Sequence, residues 1–354
     1  MGDSRAGKLL RSVEGVAYWG VAAPVLARLP PALGYRIACW RGDCLFRCQA
    51  GKRAMLARNV RLVLGDKLSA AEVQRVTRDW FRFASCEAVD VKRLRGDGAG
   101  PLRRLVEIQG REHLEAALAA GKGAILCCGH FGSHASVFSV LHASGFPITT
   151  IGRRTQIYEA GRSPAELRFW DLVYSRPLRR HRQRPNIEPM PGRPQVAALA
   201  AAALRANEVV TISIDAAPLD SDRARAVEVP FLGGRARLLP GVVTLAQITG
   251  APLLIGFLFR AADYRHQVWQ ISAPVPVEGV AATAFGRCAA EVSAAIRRSP
   301  AHWDFWNSTE DLAKLGLIGP LRERPSATGP VLQPAAGFLH DGDQQVAPVG
   351  ERPA

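Results

Sequence analysis

Paired CxxC cysteines are missing from this chain. Cys39, Cys44, Cys48, Cys86, Cys127, Cys128 and Cys288 are scattered, mostly among apolar neighbours. That spacing argues against a structural zinc site and fits a cytosolic reducing compartment. No apolar run reaches the ~20 residues that span a bilayer, and no cleavable signal peptide is expected. Acidic residues are scarce, 31 against 46 basic ones, leaving a formal charge of +15. Such charge suits nucleic acid or an anionic membrane or phosphate group. The densest basic stretch, residues 176–184, has no interleaved aromatics and no helix-turn-helix or zinc pattern beside it, so nucleic acid is not expected as a partner. An anionic headgroup surface, an acidic carrier protein and a plain solvated loop remain as its readings.

What is present is core. Of 354 residues, 48% are hydrophobic, enough for one large domain or two small ones. Residues 15–27 are uncharged, flanked by Arg11, Glu14 and Arg28, with Tyr18 and Trp19 near the middle. They suit either an amphipathic helix on a membrane surface or a helix packed on the core. Helix is expected over about residues 5–95, where Ser69 and Glu72 form a capping box ahead of Val73, Val76, Trp80, Phe81 and Phe83.

After the break at Asp97-Gly98-Ala99-Gly100-Pro101, strands alternate with helices. Strands are expected at 106–109, 124–128, 147–151, 209–214, 226–232, 252–259 and 266–271. Helices are expected at 112–120, through about 144, at 164–174, 195–205, 240–248 and 282–297. The pattern predicts an α/β fold, a largely parallel mixed sheet flanked by helices on both faces, behind a helical N-terminal part. The expected division is 1–95, helical and membrane-associating; 96–318, the α/β domain; and 319–354, a disordered tail.

The apolar run 124–128 leads into Gly129-His130-Phe131-Gly132. A histidine at the carboxyl end of a sheet strand is either a loop or capping residue or a general base. Gly132-Ser133-His134 is not a Gly-x-Ser-x-Gly elbow, which argues against a serine hydrolase. Cys128, two residues before His130, would share its face in a continued strand; it reads as an apolar strand cysteine, with a nucleophile as the alternative. Asp215 ends an apolar strand, as a site residue or as a turn acid.

These residues, taken in order, resemble the lysophospholipid acyltransferase superfamily, most closely the lipid A late acyltransferase branch and its actinobacterial relatives. That branch carries His-x4-Asp/Glu. Here His130, Phe131 and Gly132 match and Ala135 replaces the acid. Similar blocks are Ile151-Gly152-Arg153-Arg154, the strand ending at Asp215, Val229-Pro230-Phe231-Leu232-Gly233-Gly234-Arg235-Ala236, Gly241 with residues 245–251, and Glu291 with residues 300–306; Arg58-Asn59 matches an early Asn block. The likeness covers about residues 10–310.

The resemblance implies transfer of an acyl chain from a thioester, on acyl carrier protein or coenzyme A, to a hydroxyl of a lipid or glycolipid. His130 would take the hydroxyl proton, and no metal or bound cofactor is implied. Arg153 would bind a phosphate, carboxylate or phosphopantetheine group. Asp215, Gly132 and Arg235 would lie at the substrate, Arg235 with Arg237 otherwise forming a charged loop. The absent acid leaves three outcomes: Asp215 or Glu159 reaches His130 from elsewhere, His134 or water orients it, or the protein is a non-catalytic lipid- or carrier-binding homologue. The expected location is the cytoplasmic face of the cell membrane, peripheral or N-terminally anchored.

Overall fold

The computed structural model describes residues 14–65, 68–94, 100–152, 168–175, 195–218 and 220–319, and the chain up to Gly319 clusters as one compact unit. Its centre is a six-stranded sheet in the order β1-β8-β7-β2-β4-β3. The strands are β1 (Val106–Gln109), β2 (Ala124–Cys128), β3 (Ile148–Ile151), β4 (Val209–Ser213), β7 (Leu253–Arg260) and β8 (Gln267–Ile271). Pairing is parallel except between β7 and β8, so the sheet is mixed and largely parallel, as the alternating pattern predicts.

β2 is buried throughout because both faces of the sheet are covered. Ile125 and Cys127 face a core built with α7 (Gly241–Thr249), α8 (Ala281–Arg298) and the tryptophans Trp303 and Trp306. Ala124, Leu126 and Cys128 face the opposite core, with α4 (Arg111–Ala119) and α5 (His134–Ala143). This is why the run reads as continuously apolar rather than alternating.

The sequence between Phe231 and Leu238 differs from expectation. A single strand over 226–232 is instead a hairpin, β5 (Val227–Phe231) with β6 (Gly234–Leu238). Its turn places Leu232 at φ 53° and Gly233 at φ 92°. Two successive positive φ values give the tight twist a hairpin needs, but leucine at the first position carries no turn signal.

The N-terminal part is helical: a π-helical turn Tyr18–Ala22, then Ala23–Leu26, α1 (Pro31–Cys48), α2 (Ala50–Leu64) and α3 (Ala70–Arg93). The Ser69–Glu72 capping box is formed at the start of α3. Residues 15–27 pack on the core through Tyr18, Ala23, Leu26 and Ala27, which are buried, while Val16, Val21 and Val25 are exposed. Among the described residues, no helix is long and apolar enough to cross a membrane. α3 is tied to the sheet by a buried ion pair, Asp90 with Arg260 of β7. Tyr35 of α1 donates its hydroxyl to the same carboxylate at 2.6 Å. α6 (Gln195–Arg205) and α9 (Thr309–Leu315) are further described helices.

Candidate active site

Strand register brings the two central groups together. β2 and β4 run parallel with Cys128 opposite Ser213, and the Ile214 N–H still donates to the Cys128 carbonyl at 3.0 Å. Each chain then leaves its strand at the same level. His130 and Asp215 stand two residues beyond those partners, at the carboxyl end of the parallel strands, where α/β folds place reactive groups.

Asp215 is fully buried and receives three donor groups. The His130 ring Nδ1 lies 2.7 Å from Oδ1, and the His130 backbone N–H is 3.0 Å from Oδ1 and 2.8 Å from Oδ2. The Trp303 indole N–H donates to Oδ2 at 2.8 Å. A carboxylate only accepts, so this contact fixes the neutral ring with its proton on Nδ1 and its lone pair on Nε2. The His130 side chain is 31% accessible, and its ring packs edge-on against Phe305, centroids 4.8 Å apart.

The glycines on either side of His130-Phe131 supply room. A Cβ on Gly129 would stand 2.9 Å from Oδ2 of Asp215, so only glycine lets the carboxylate close under the loop. Gly132 has φ 77°, and a Cβ there would overlap the Leu258 carbonyl oxygen. Between them, Phe131 forms an isolated antiparallel bridge to Trp303. Gly132 N–H donates to the His302 carbonyl at 2.9 Å, and Asp304 N–H donates to the His130 carbonyl at 3.0 Å. The histidine loop is therefore sewn to the closing segment 300–306. Asn59 of α2 holds that segment in turn, donating to the Trp306 carbonyl at 2.9 Å. This gives a physical reason for the early Asn block.

Burial of the His130 ring opposes its charging, but attraction to the Asp215 carboxylate outweighs it and raises the imidazole pKa above its ordinary value. Burial would likewise raise the Asp215 pKa; the His130 ring and the Trp303 and backbone donors overcome it and hold the carboxyl below the usual range. A buried acid held in its ionised form beside an imidazole is an arrangement that can orient a general base. Nearby His302 behaves oppositely: burial first, then the Arg260 charge, push its pKa down to about 3, so it stays neutral.

Of the other candidates, Gly132 is in the loop just described. Arg235 lies on β6, exposed and paired with Glu228 in the hairpin. Arg153, Glu159 and the basic stretch 176–184 lie outside the described residues. His134 and Ala135 fall in the first turn of α5, and their side chains lie outside the described part as well. Cys128 does not share the His130 face. It packs in the α4–α5 core while the ring packs on Phe305 of the opposite one, because the chain leaves strand geometry at Gly129. Burial pushes its thiol up to about 12, an inert strand cysteine. A cavity of about 300 Å³ lined by Phe257, Ile271 and Arg298 does not include His130 or Asp215. Trp303 is the site residue that sequence reasoning passed over. Its only signal is membership of the segment 300–306 that carries the resemblance.

The family model described as bacterial lipid A biosynthesis acyltransferase matches residues 6–307, which contain every group above. No curated protein matches the chain.

Proposed function

Because the chain belongs to the bacterial lipid A biosynthesis acyltransferase family, we propose that it moves a fatty acyl group from an acyl thioester to a hydroxyl of a lipid or glycolipid, with His130 as general base and Asp215 as the acid that orients it. The observation carrying this reading is the 2.7 Å contact of His130 Nδ1 with Asp215 Oδ1. Asp215 fills the role that Ala135 cannot, from a different strand. Nε2 takes the proton of the acceptor hydroxyl as its oxygen attacks the thioester carbonyl. An ester C–O bond forms, the C–S bond breaks, and the imidazolium returns the proton to the departing thiolate. Asp215 stabilises the imidazolium without being protonated. The donor is acyl carrier protein or coenzyme A. Arg153 keeps the role the resemblance gives it, holding a phosphate, carboxylate or phosphopantetheine group.

The reading includes work at the cytoplasmic face of a membrane, bound peripherally. Val21, Val25, Leu33 and Trp40 are exposed large apolar side chains on the N-terminal helices. Arg28, in the turn before α1, and Arg36 and Arg47 of α1 are exposed as well. An apolar stripe edged by arginines suits insertion among anionic headgroups.

The test is thioester consumption by the purified protein with acyl-coenzyme A or acyl carrier protein and a mixed lipid acceptor pool, wild type beside His130→Ala. Acylated lipid in wild type, lost in the variant, is expected. Acylation that survives in the variant removes His130 as the base. Background signals from both proteins, with donor and lipid still bound, would favour the non-catalytic homologue.

A further inference from the structure

Two cysteines meet where α1 packs on α3, outside the His130–Asp215 pair and its loop. Gly34, Ala38 and Gly42 of α1 are buried. A Cβ on Gly42 would stand 2.5 Å from the Cα of Arg82 and 2.8 Å from the Phe81 carbonyl oxygen, so the two backbones nearly touch. One turn away the Cys39 sulfur lies 3.6 Å from that of Cys86. One turn further, Tyr35 bonds Asp90. The antiparallel register Gly42/Arg82, Cys39/Cys86, Tyr35/Asp90 thus holds the thiols opposite each other. A disulfide needs about 2.05 Å between sulfurs, so closure requires roughly 1.5 Å of approach between side chains already aligned.

The two thiols differ in access. Cys86 is fully buried. Cys39 is partly exposed and lines a surface cavity of about 380 Å³ with Arg36, Arg82, Tyr264, Arg265 and Asp263, the carboxylate that pairs with Arg265. Partial exposure among guanidinium groups is the setting that favours a reactive thiolate. The hydrogen bond with Cys86 lowers the Cys39 pKa; burial opposes this, the Arg82 and Arg260 charges add to the lowering, and the Asp43 charge opposes it. Cys127 and Cys288 also contact one another, but both are completely buried.

We propose that Cys39 is a site of oxidation by small hydroperoxides and Cys86 its resolving thiol, the product being a disulfide that staples α1 to α3. The Cys39 thiolate attacks the peroxide: an S–O bond forms, the O–O bond breaks, and the leaving oxygen departs protonated as water or an alcohol. The Cys86 sulfur then attacks the Cys39 sulfenic acid. The S–S bond forms, the S–O bond breaks, and hydroxide leaves with the Cys86 proton as water. The thiols lose two electrons and two protons; the peroxide is reduced by the same two electrons.

The experiment treats the full-length reduced protein with one to a few equivalents of hydrogen peroxide, blocks remaining thiols with iodoacetamide, and maps unreduced peptides by mass spectrometry. The expected result is a Cys39–Cys86 linked peptide, two fewer alkylated thiols per chain, reversal by dithiothreitol, and no change on Cys48→Ser. In Cys86→Ser, Cys39 should instead be trapped by dimedone as its sulfenic acid. Oxidation that falls first on exposed Cys48 or on Cys127–Cys288 while Cys39 stays fully alkylatable overturns the proposal. So does Cys39 passing to sulfinic acid in wild type with no linked peptide. The wild-type map decides the matter even if the variant fails to fold.

Discussion

Trp303 donates its indole N–H to Asp215 Oδ2 from 88 positions further along the chain. The bond explains how an aspartate with no solvent contact stays ionised. With the His130 ring on Oδ1 and the His130 backbone N–H shared between both oxygens, each carboxylate oxygen has a donor, so the desolvation cost is offset. The closing segment thereby reaches the chemistry through the acid, and the same residues bridge Phe131 and pin the histidine loop.

Asp215→Asn is expected to lower kcat on the order of 10⁴-fold, the scale known for the orienting carboxylate of a serine protease triad. The pH dependence has a definite sign. Asp215 raises the His130 pKa, so the protonated, inactive ring persists to higher pH, and the acid limb of kcat/KM lies above the ordinary imidazole value of about 6.5. Removing the carboxylate moves that limb to lower pH. The pair's stabilising effect is present above the lowered Asp215 pKa and fades as pH rises through the raised His130 pKa. The stability gap between wild type and variant should therefore be widest in mild acid. A limb that moves upward on substitution would show that Asp215 does not act on the ring.

Ala135→Glu, which restores the family's usual acid, is expected to change kcat less than about three-fold, because Asp215 already occupies the Nδ1 side of His130. A gain of a hundred-fold or more would mean that the buried aspartate does not orient the base in solution. Steady-state rates of the two proteins, measured side by side, decide it.

Much of this arrangement is legible in the sequence, and the remainder is hidden for identifiable reasons. The apolar runs that become β2 and β4 announce strands, and their polar ends mark His130 and Asp215. Their adjacency follows from parallel pairing between strands separated by β3, which periodicity does not encode. The hairpin strand β6 was concealed by Leu232 at a positive φ, where glycine or asparagine would have signalled the turn. The donor role of Trp303 depends on a tertiary contact alone, and tryptophan in a segment that also holds Phe305 and Trp306 reads locally as core.

Gly129→Ala and Gly132→Ala should fail in different ways. At Gly129 the new methyl meets Asp215 Oδ2 at 2.9 Å and Val292 at 3.3 Å, with no positive φ to forbid it. The protein should fold, with Tm lowered by a few degrees and kcat reduced at least ten-fold as the carboxylate is displaced. At Gly132 the methyl overlaps backbone and the conformation is left-handed, so a loss of about 3 kcal/mol or more is expected. Circular dichroism melts beside kinetics would separate the two. Equal losses of stability would refute the distinction.

The Asp90–Arg260 pair joins α3 to β7 with 0% and 1% of their side chains accessible. Removing one member should cost more than removing both. Asp90→Ala strands the guanidinium in the core, and about 3–5 kcal/mol of stability should be lost. The double change Asp90→Leu with Arg260→Met replaces the pair by apolar volume and should recover most of that loss. The order of the two effects is the point to measure, by urea unfolding monitored through tryptophan fluorescence. If the double variant were the less stable one, the network around Asp90, including the Tyr35 hydroxyl at 2.6 Å and Gln267 at 3.4 Å, would be contributing more than charge neutralisation.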